Sequence, residues 1–222
     1  MSGASFLLGA DGIYRCAEFQ RFLWQSHGFG TRMANPEVDI TLRQIHSAHV
    51  WNAHALTDRQ HEGDALVTDD AGRRIGVRTA DCLPILLLDT ERRAVAAVHA
   101  GWRGTAAAIV ARAIEKMEMD FGSRPADIHA ALGPCIGECC YEVGPEVAFH
   151  FSGLFPEWPA VTGKRHLDLP EANFRHLRAA GVPAGQIFNS ALCTFCLAEH
   201  FFSYRREPQT PERMISAITR LD

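Results

Sequence analysis

No apolar run in this chain approaches the roughly 20 residues that a bilayer-spanning helix needs, so no such helix is expected. Positive charge is not in excess. The 22 Lys and Arg residues stand against 26 Asp and Glu, for a formal net charge of −4. That balance gives no ground for nucleic acid as a main partner, but leaves room for a local basic pocket that binds phosphate. The N-terminal stretch MSGASFLLGADG lacks the basic region of a secretory signal and has only Phe6–Leu8 as an apolar core. A cytoplasmic location is therefore expected, with the seven cysteines as reduced thiols, and their odd number argues against a pure disulfide framework. Internal repeats, low-complexity tracts and long linkers are also missing, so residues 1–222 read as a single domain. Although there are 11 histidines, none stands in the His-x-His arrangement that holds several coppers in laccase-type oxidases. The local cluster of His46, His49, His54 and His61 reads mostly as surface.

What the chain does have is a hydrophobic content of 47%, enough for a substantial core, and one stretch where chemistry concentrates. In RTADCLPILLLDTERRAVAAVHAGWRGT, residues 78–105, two aliphatic segments read as buried strands over 85–88 and 95–98, joined by a charged turn over 89–93. Antiparallel strands with a short link bring their outer ends together. Cys82, just before the first strand, and His99, just after the second, are thus expected to be neighbours. Sulfur plus imidazole at one end of a sheet makes either a catalytic Cys–His pair or two thirds of a zinc site. Asp81 and Arg78 beside Cys82 are unusual company for a plain core cysteine. The glycines of HAGWRG turn the chain into a helix expected from Thr105 to Met119, stopped at Gly122; its N-terminus, with Arg103, suits an anion.

Elsewhere, residues 12–25 suggest strands leading to a Gly-rich turn, residues 38–51 (VDITLRQIHSAHVW) a strand carrying His46, and 63–68 a short strand. Further strands are expected at 127–132, 187–190 and 201–205. Helices are expected at 145–151, at 170–180 capped by Asp168, and at 194–200; residues 152–164 read as loop. Interleaved strands and helices make a mixed α/β class the natural one. His46 would complete a three-ligand metal set with Cys82 and His99, leaving one position open. Cys135, Cys139, Cys140 and the Cys193-x-x-Cys196 pair invite a second metal, but the 135–140 loop lacks the paired spacing of a zinc ribbon. GPCIGECCYEVG reads instead as a substrate-binding loop, with Gly133 and Cys135 among the candidates. Arg205 in FFSYRRE is a further candidate for a phosphate or carboxylate.

Five motifs in order, QIHSAHV, TADCLPILLLD, VHAGWRGT, LGPCIGECCYEVG and CTFC-x(4)-FFSYRRE, resemble the laccase-domain purine nucleoside phosphorylase family, long called multicopper polyphenol oxidoreductases. The resemblance covers the chain from about His27 onward. It implies a four-layer α/β/β/α fold, two mixed sheets sandwiched between helices, similar to Cys–His toxin deamidases. It also implies zinc held by His46, Cys82 and His99, phosphorolysis of adenosine, inosine, guanosine and methylthioadenosine, and deamination of adenosine. In the deaminase, zinc lowers the pKa of water for attack on the purine C6. In phosphorolysis Arg103, Arg205 and the Thr105 helix start would anchor phosphate, and Asp81 would orient a ligand or move a proton. Copper in the same site would give a polyphenol oxidase, and Cys82 with His99 as base a hydrolase editing a peptidoglycan precursor. A zinc-stabilised module without turnover is a further reading. A monomer or small homo-oligomer is expected. Two departures from the family pattern stand out. The loop between HGFGTR and the first histidine motif is short, and the terminal segment reads RREPQTPER, with prolines and Glu212 where glycines are usual.

Overall fold

The computed structural model describes residues 6–56, 61–158 and 163–222. In chain order the strands are β1 (Phe6–Leu8), β2 (Tyr14–Cys16), β3 (Gln25–Phe29), β4 (Val50–Asn52), β5 (Ala65–Thr68), β6 (Ile75–Thr79), β7 (Leu83–Asp89), β8 (Val95–Ala100), β9 (Ile128–Leu132), β10 (Glu142–Val143), β11 (Arg165–His166), β12 (Ile187–Asn189) and β13 (Met214–Arg220). The helices are α1 (Trp102–Ala106), α2 (Ile109–Phe121), α3 (Pro145–Ala148) and α4 (Leu169–Ala179).

The expected hairpin is the middle of the molecule. β7 and β8 read as continuous aliphatic runs because both of their faces are covered. Ile85, Leu87, Ala96 and Val98 point one way, into a cluster with Ile109, Ile114 and Leu177 of α2 and α4. Leu86, Leu88, Val95 and Ala97 point the other way, against Phe29, Ile75, Met214 and Ile218 of the second sheet. This period-two division puts helices, a mixed six-stranded sheet ordered β12-β9-β7-β8-β5-β4 and a five-stranded sheet ordered β1-β2-β3-β13-β6 in successive layers. The mixed α/β class and the stacked sheets follow the resemblance. The five-stranded sheet pairs antiparallel throughout, and the larger one has parallel pairs at β4–β5 and β12–β9.

Several elements differ from their sequence reading, each for a local reason. Residues 38–49 form a loop rather than a strand, because the amides of Ile45, His46 and Ser47 donate to the Asp64 carboxylate instead of to a sheet. The helix expected over 105–119 is two helices, broken at Ala108 in the left-handed region (φ 55°, ψ 41°). The short α1 is fixed through Thr105, whose carbonyl meets His176 Nε2 at 2.9 Å and whose hydroxyl accepts from Asn173 at 3.0 Å. Residues 194–205 make turns in place of the expected helix and strand, because the Arg206 guanidinium takes up the carbonyls of Thr194, Phe195 and Phe201. The last strand is β13, which the sequence reading missed. The Asp168 cap holds, its Oδ1 accepting from Glu171 N at 2.8 Å. Part of the expected loop, residues 159–162, lies outside the described residues, as do residues 1–5.

Candidate metal centre

Pro84 pairs with His99 across the hairpin, so Cys82 at the mouth of β7 stands beside His99 near the end of β8. His46 arrives on the 38–49 loop with a left-handed backbone (φ 60°). The ligand atoms of His46, Cys82 and His99 all lie within 4.8 Å of one another. Cys82 Sγ is 4.0 Å from His46 Nε2, and the two imidazole rings meet edge to face with centroids 4.9 Å apart. Gly101 makes room for this. A Cβ there would come within 2.9 Å of Cys82 Sγ and 3.0 Å of His46 Cδ2.

The residue that organises the centre is Asp64, which the sequence reading passed over. Its carboxylate is fully buried and accepts from His46 N at 3.0 Å, Ser47 N at 2.6 Å, Ser47 Oγ at 2.7 Å and His99 Nδ1 at 2.8 Å. Burial acts to raise its pKa, but the bonds from His99 and Ser47 prevail and hold it at about 2. An ionised carboxylate only accepts, so Asp64 holds a proton on His99 Nδ1 and fixes the ring, and Nε2 is the atom that would ligate an ion, in place of the second proton of the imidazolium. Burial also opposes charge on Cys82 and His99, yet their mutual attraction brings the thiol down to about 6 and the imidazole up to about 9. Two imidazoles and a thiolate fit a zinc or copper ion with an open position.

The three side chains line a cavity of about 690 Å³. Five arginines, Arg43, Arg78, Arg103, Arg205 and Arg213, share its wall with a single carboxylate, Asp81. Arg103 stacks over Trp102 at 4.5 Å and Arg205 over Tyr141 at 5.3 Å. Of the candidates from sequence, His46, Cys82, His99, Asp81, Arg103 and Arg205 meet here. Thr105 does not: it lies within α1, fully buried and bonded to α4. Gly133 packs against Phe29 and Pro84, and Cys135 is buried, so Ile136 and Tyr141 represent their loop at the cavity. The Asp81 carboxylate accepts from Thr194 Oγ1 at 2.7 Å, Ser203 Oγ at 3.0 Å and Arg205 N at 2.6 Å. Arg43 and Arg213 carried no sequence signal beyond their charge. A second group of ligand atoms, the sulfurs of Cys139, Cys140, Cys193 and Cys196, converges beside the cavity, and none of these four residues is part of its lining.

The family model described as multi-copper polyphenol oxidoreductase laccase matches residues 26–221. A purine nucleoside phosphorylase of Deinococcus radiodurans is 43% identical over 80% of this chain and 68% of its own length. A Bacteroides thetaiotaomicron purine nucleoside phosphorylase is 42% identical over 71% of this chain and 61% of its own length. An adenosine deaminase, RL5, from an unknown prokaryotic organism is 44% identical over 71% and 62%. The chain thus spans about three fifths to two thirds of these curated relatives. Among solved structures, Bacillus licheniformis YfiH superposes with a TM-score of 0.86 at 28% identity, over 96% of this chain and 98% of that one. YlmD from Geobacillus stearothermophilus gives 0.83 at 29% identity, over 98% and 99%.

Proposed function

The chain belongs to the multi-copper polyphenol oxidoreductase laccase family, and on that premise we propose that it is a zinc-dependent purine nucleoside phosphorylase with adenosine deaminase activity. The observation that carries this reading is one cavity in which a His–Cys–His donor set lies among five arginines. The names of the relatives, purine nucleoside phosphorylase and adenosine deaminase, support it. The substrates proposed are adenosine, inosine, guanosine and methylthioadenosine, with phosphate.

His46, Cys82 and His99 would hold the ion. Zinc bound there supplies Lewis acidity and eases deprotonation of water. The protein's own residues do the rest. Asp64 keeps a proton on His99 Nδ1 and fixes the ring, so Nε2 would be the atom offered to the ion. Arg103 and Arg205 hold the phosphate dianion beside C1′ and offset its charge in the transition state. In phosphorolysis a phosphate oxygen bonds to C1′ as the C1′–N9 bond breaks; the electron pair stays on the purine, which takes up a proton. In deamination water adds at C6 and ammonia leaves, converting adenosine to inosine. Tyr141 and Trp102 give flat faces for the base.

Purified protein of known metal content, given adenosine or inosine with and without phosphate, tests this by chromatography of the products. Phosphate-dependent adenine or hypoxanthine, lost in His46→Ala and Cys82→Ala, is the expected result, with inosine from adenosine when phosphate is left out. Survival of both nucleosides in protein that carries the zinc equivalent lost in His46→Ala/Cys82→Ala would sink the reading. A second reading draws on the Cys82–His99 charge pair, with its lowered thiol and raised imidazole: a Cys–His hydrolase acting on a peptidoglycan precursor. It predicts activity that survives both a chelator and His46→Ala.

A further inference from the structure

Four of the seven cysteines take no part in the centre described above, and they lie together. The sulfurs of Cys139, Cys140, Cys193 and Cys196 all fall within 4.8 Å of one another. Cys140 Sγ is 3.4 Å and Cys139 Sγ 3.7 Å from Cys196 Sγ, and all four are free thiols. A tetrahedral Zn–S₄ site, with bonds of ~2.3 Å, has sulfur–sulfur edges of about 3.8 Å. The observed spacing is close to that edge. A polynuclear iron–sulfur cluster spreads its cysteines over more than one iron, and this group is too compact for one.

The surroundings are built for thiolates. Gly137 N donates to Cys193 Sγ at 3.2 Å, the kind of backbone donor that steadies a ligating sulfur. A Cβ on Gly137 would stand 3.3 Å from Cys139 Sγ and 3.5 Å from Cys193 Sγ, so glycine lets the backbone wrap closely around the group. The two chain segments are already in register. Cys135 N donates to Leu192 O at 3.2 Å, and Thr194 N to Cys135 O at 2.9 Å. No imidazole or carboxylate belongs to the group, and an all-thiolate set selects a soft ion over magnesium or calcium.

We propose that Cys139, Cys140, Cys193 and Cys196 bind a second ion, zinc, as a structural clasp between the 133–144 loop and the 190–206 segment. Those two segments supply Ile136, Tyr141, Tyr204 and Arg205 to the cavity wall. The clasp therefore fixes part of the wall while leaving the His46–Cys82–His99 centre untouched. Binding displaces four thiol protons to solvent and involves no redox change.

The test empties the first centre, so it is independent of what that centre binds or turns over. Full-length His46→Ala/Cys82→Ala protein, prepared anaerobically under reducing conditions, should carry one zinc per chain by elemental analysis. Replacing its zinc with cobalt(II) should give intense tetrahedral visible bands with thiolate-to-cobalt charge transfer. Adding Cys139→Ser/Cys196→Ser, both exposed positions, should lower the zinc to less than a tenth of an equivalent. In the otherwise unaltered chain the same pair should remove one equivalent and leave the first centre's metal in place. If the reduced His46→Ala/Cys82→Ala protein holds no zinc, and takes up none when zinc is supplied, the proposal is overturned. Weak octahedral cobalt bands, or disulfides formed among these cysteines with no metal in the reduced form, would overturn it as well.

Discussion

At the scale of single side chains, five hydrogen bonds converge on Asp64 from the loop that carries His46 and from His99 itself. Asp64→Asn keeps the shape but turns an amide donor toward some of these N–H groups. It is expected to cost about 2 kcal/mol of stability and to weaken metal binding roughly 10- to 100-fold; chemical denaturation and competition with a chelator read the two effects separately. Arg103 stacks over Trp102 and lines the cavity, so its charge faces a ligand bound there. Arg103→Ala should raise the KM for phosphate on the order of 10-fold, as expected for one charge-assisted hydrogen bond, while hydrolytic deamination of adenosine stays near its starting rate. His46, Cys82 and His99 could be read from sequence because two of them flank an obvious hairpin and the third sits in a polar motif. Asp64 could not: nothing in GDALVT announces that amides from residues 45–47 will fold onto it. The four-cysteine group is not legible in sequence because adjacent Cys139 and Cys140 have no ribbon-like spacing, and only the fold brings the Cys193-x-x-Cys196 pair beside them.

At the scale of elements, the hairpin of β7 and β8 was legible because continuous aliphatic runs of this length have few other uses. The break between α1 and α2 was not, since the alanines of TAAAIVARA fit one uninterrupted helix. The break is imposed from outside, by the Thr105 contacts with Asn173 and His176. Ala108 consequently holds a left-handed backbone that an L-residue enters at a cost of about 1–2 kcal/mol. Ala108→Gly removes this cost but loosens the unfolded chain, so a net gain of up to about 1 kcal/mol is expected from urea unfolding. Alternation in FFSYRRE imitated a strand, whereas Asp81 and Arg206 recruit its backbone into turns.

At the scale of the whole molecule, one buried histidine ties stability to acidity. His27 accepts from Cys16 N through Nε2 at 3.0 Å, and its Nδ1 meets Gln25 Oε1 at 3.0 Å, which fixes a neutral ring between the sheets. Burial, aided by Arg15, depresses its pKa from 6.5 to about 3. Between those values the unfolded chain binds one proton more than the folded one. The His27 contribution is thus intact above pH 6.5 and is lost as pH falls toward 3, at up to ~1.4 kcal/mol per unit. Unfolding free energies from urea titrations at pH 7 and pH 5 should differ by about 2 kcal/mol more in the parent protein than in His27→Gln.

β13 lies between β3 and β6, and synthesis proceeds from the N-terminus, so an interior strand of this sheet is the last of its strands to be made. On the ribosome β3 and β6 each wait with an unpaired edge until residue 220 has emerged, while β5, β7, β8 and β9 can already pair. The half of the protein that carries the Cys82–His99 hairpin is therefore free to assemble during translation. The other half can close only late, and for that interval the nascent chain presents two strand edges open to pairing with a neighbouring chain.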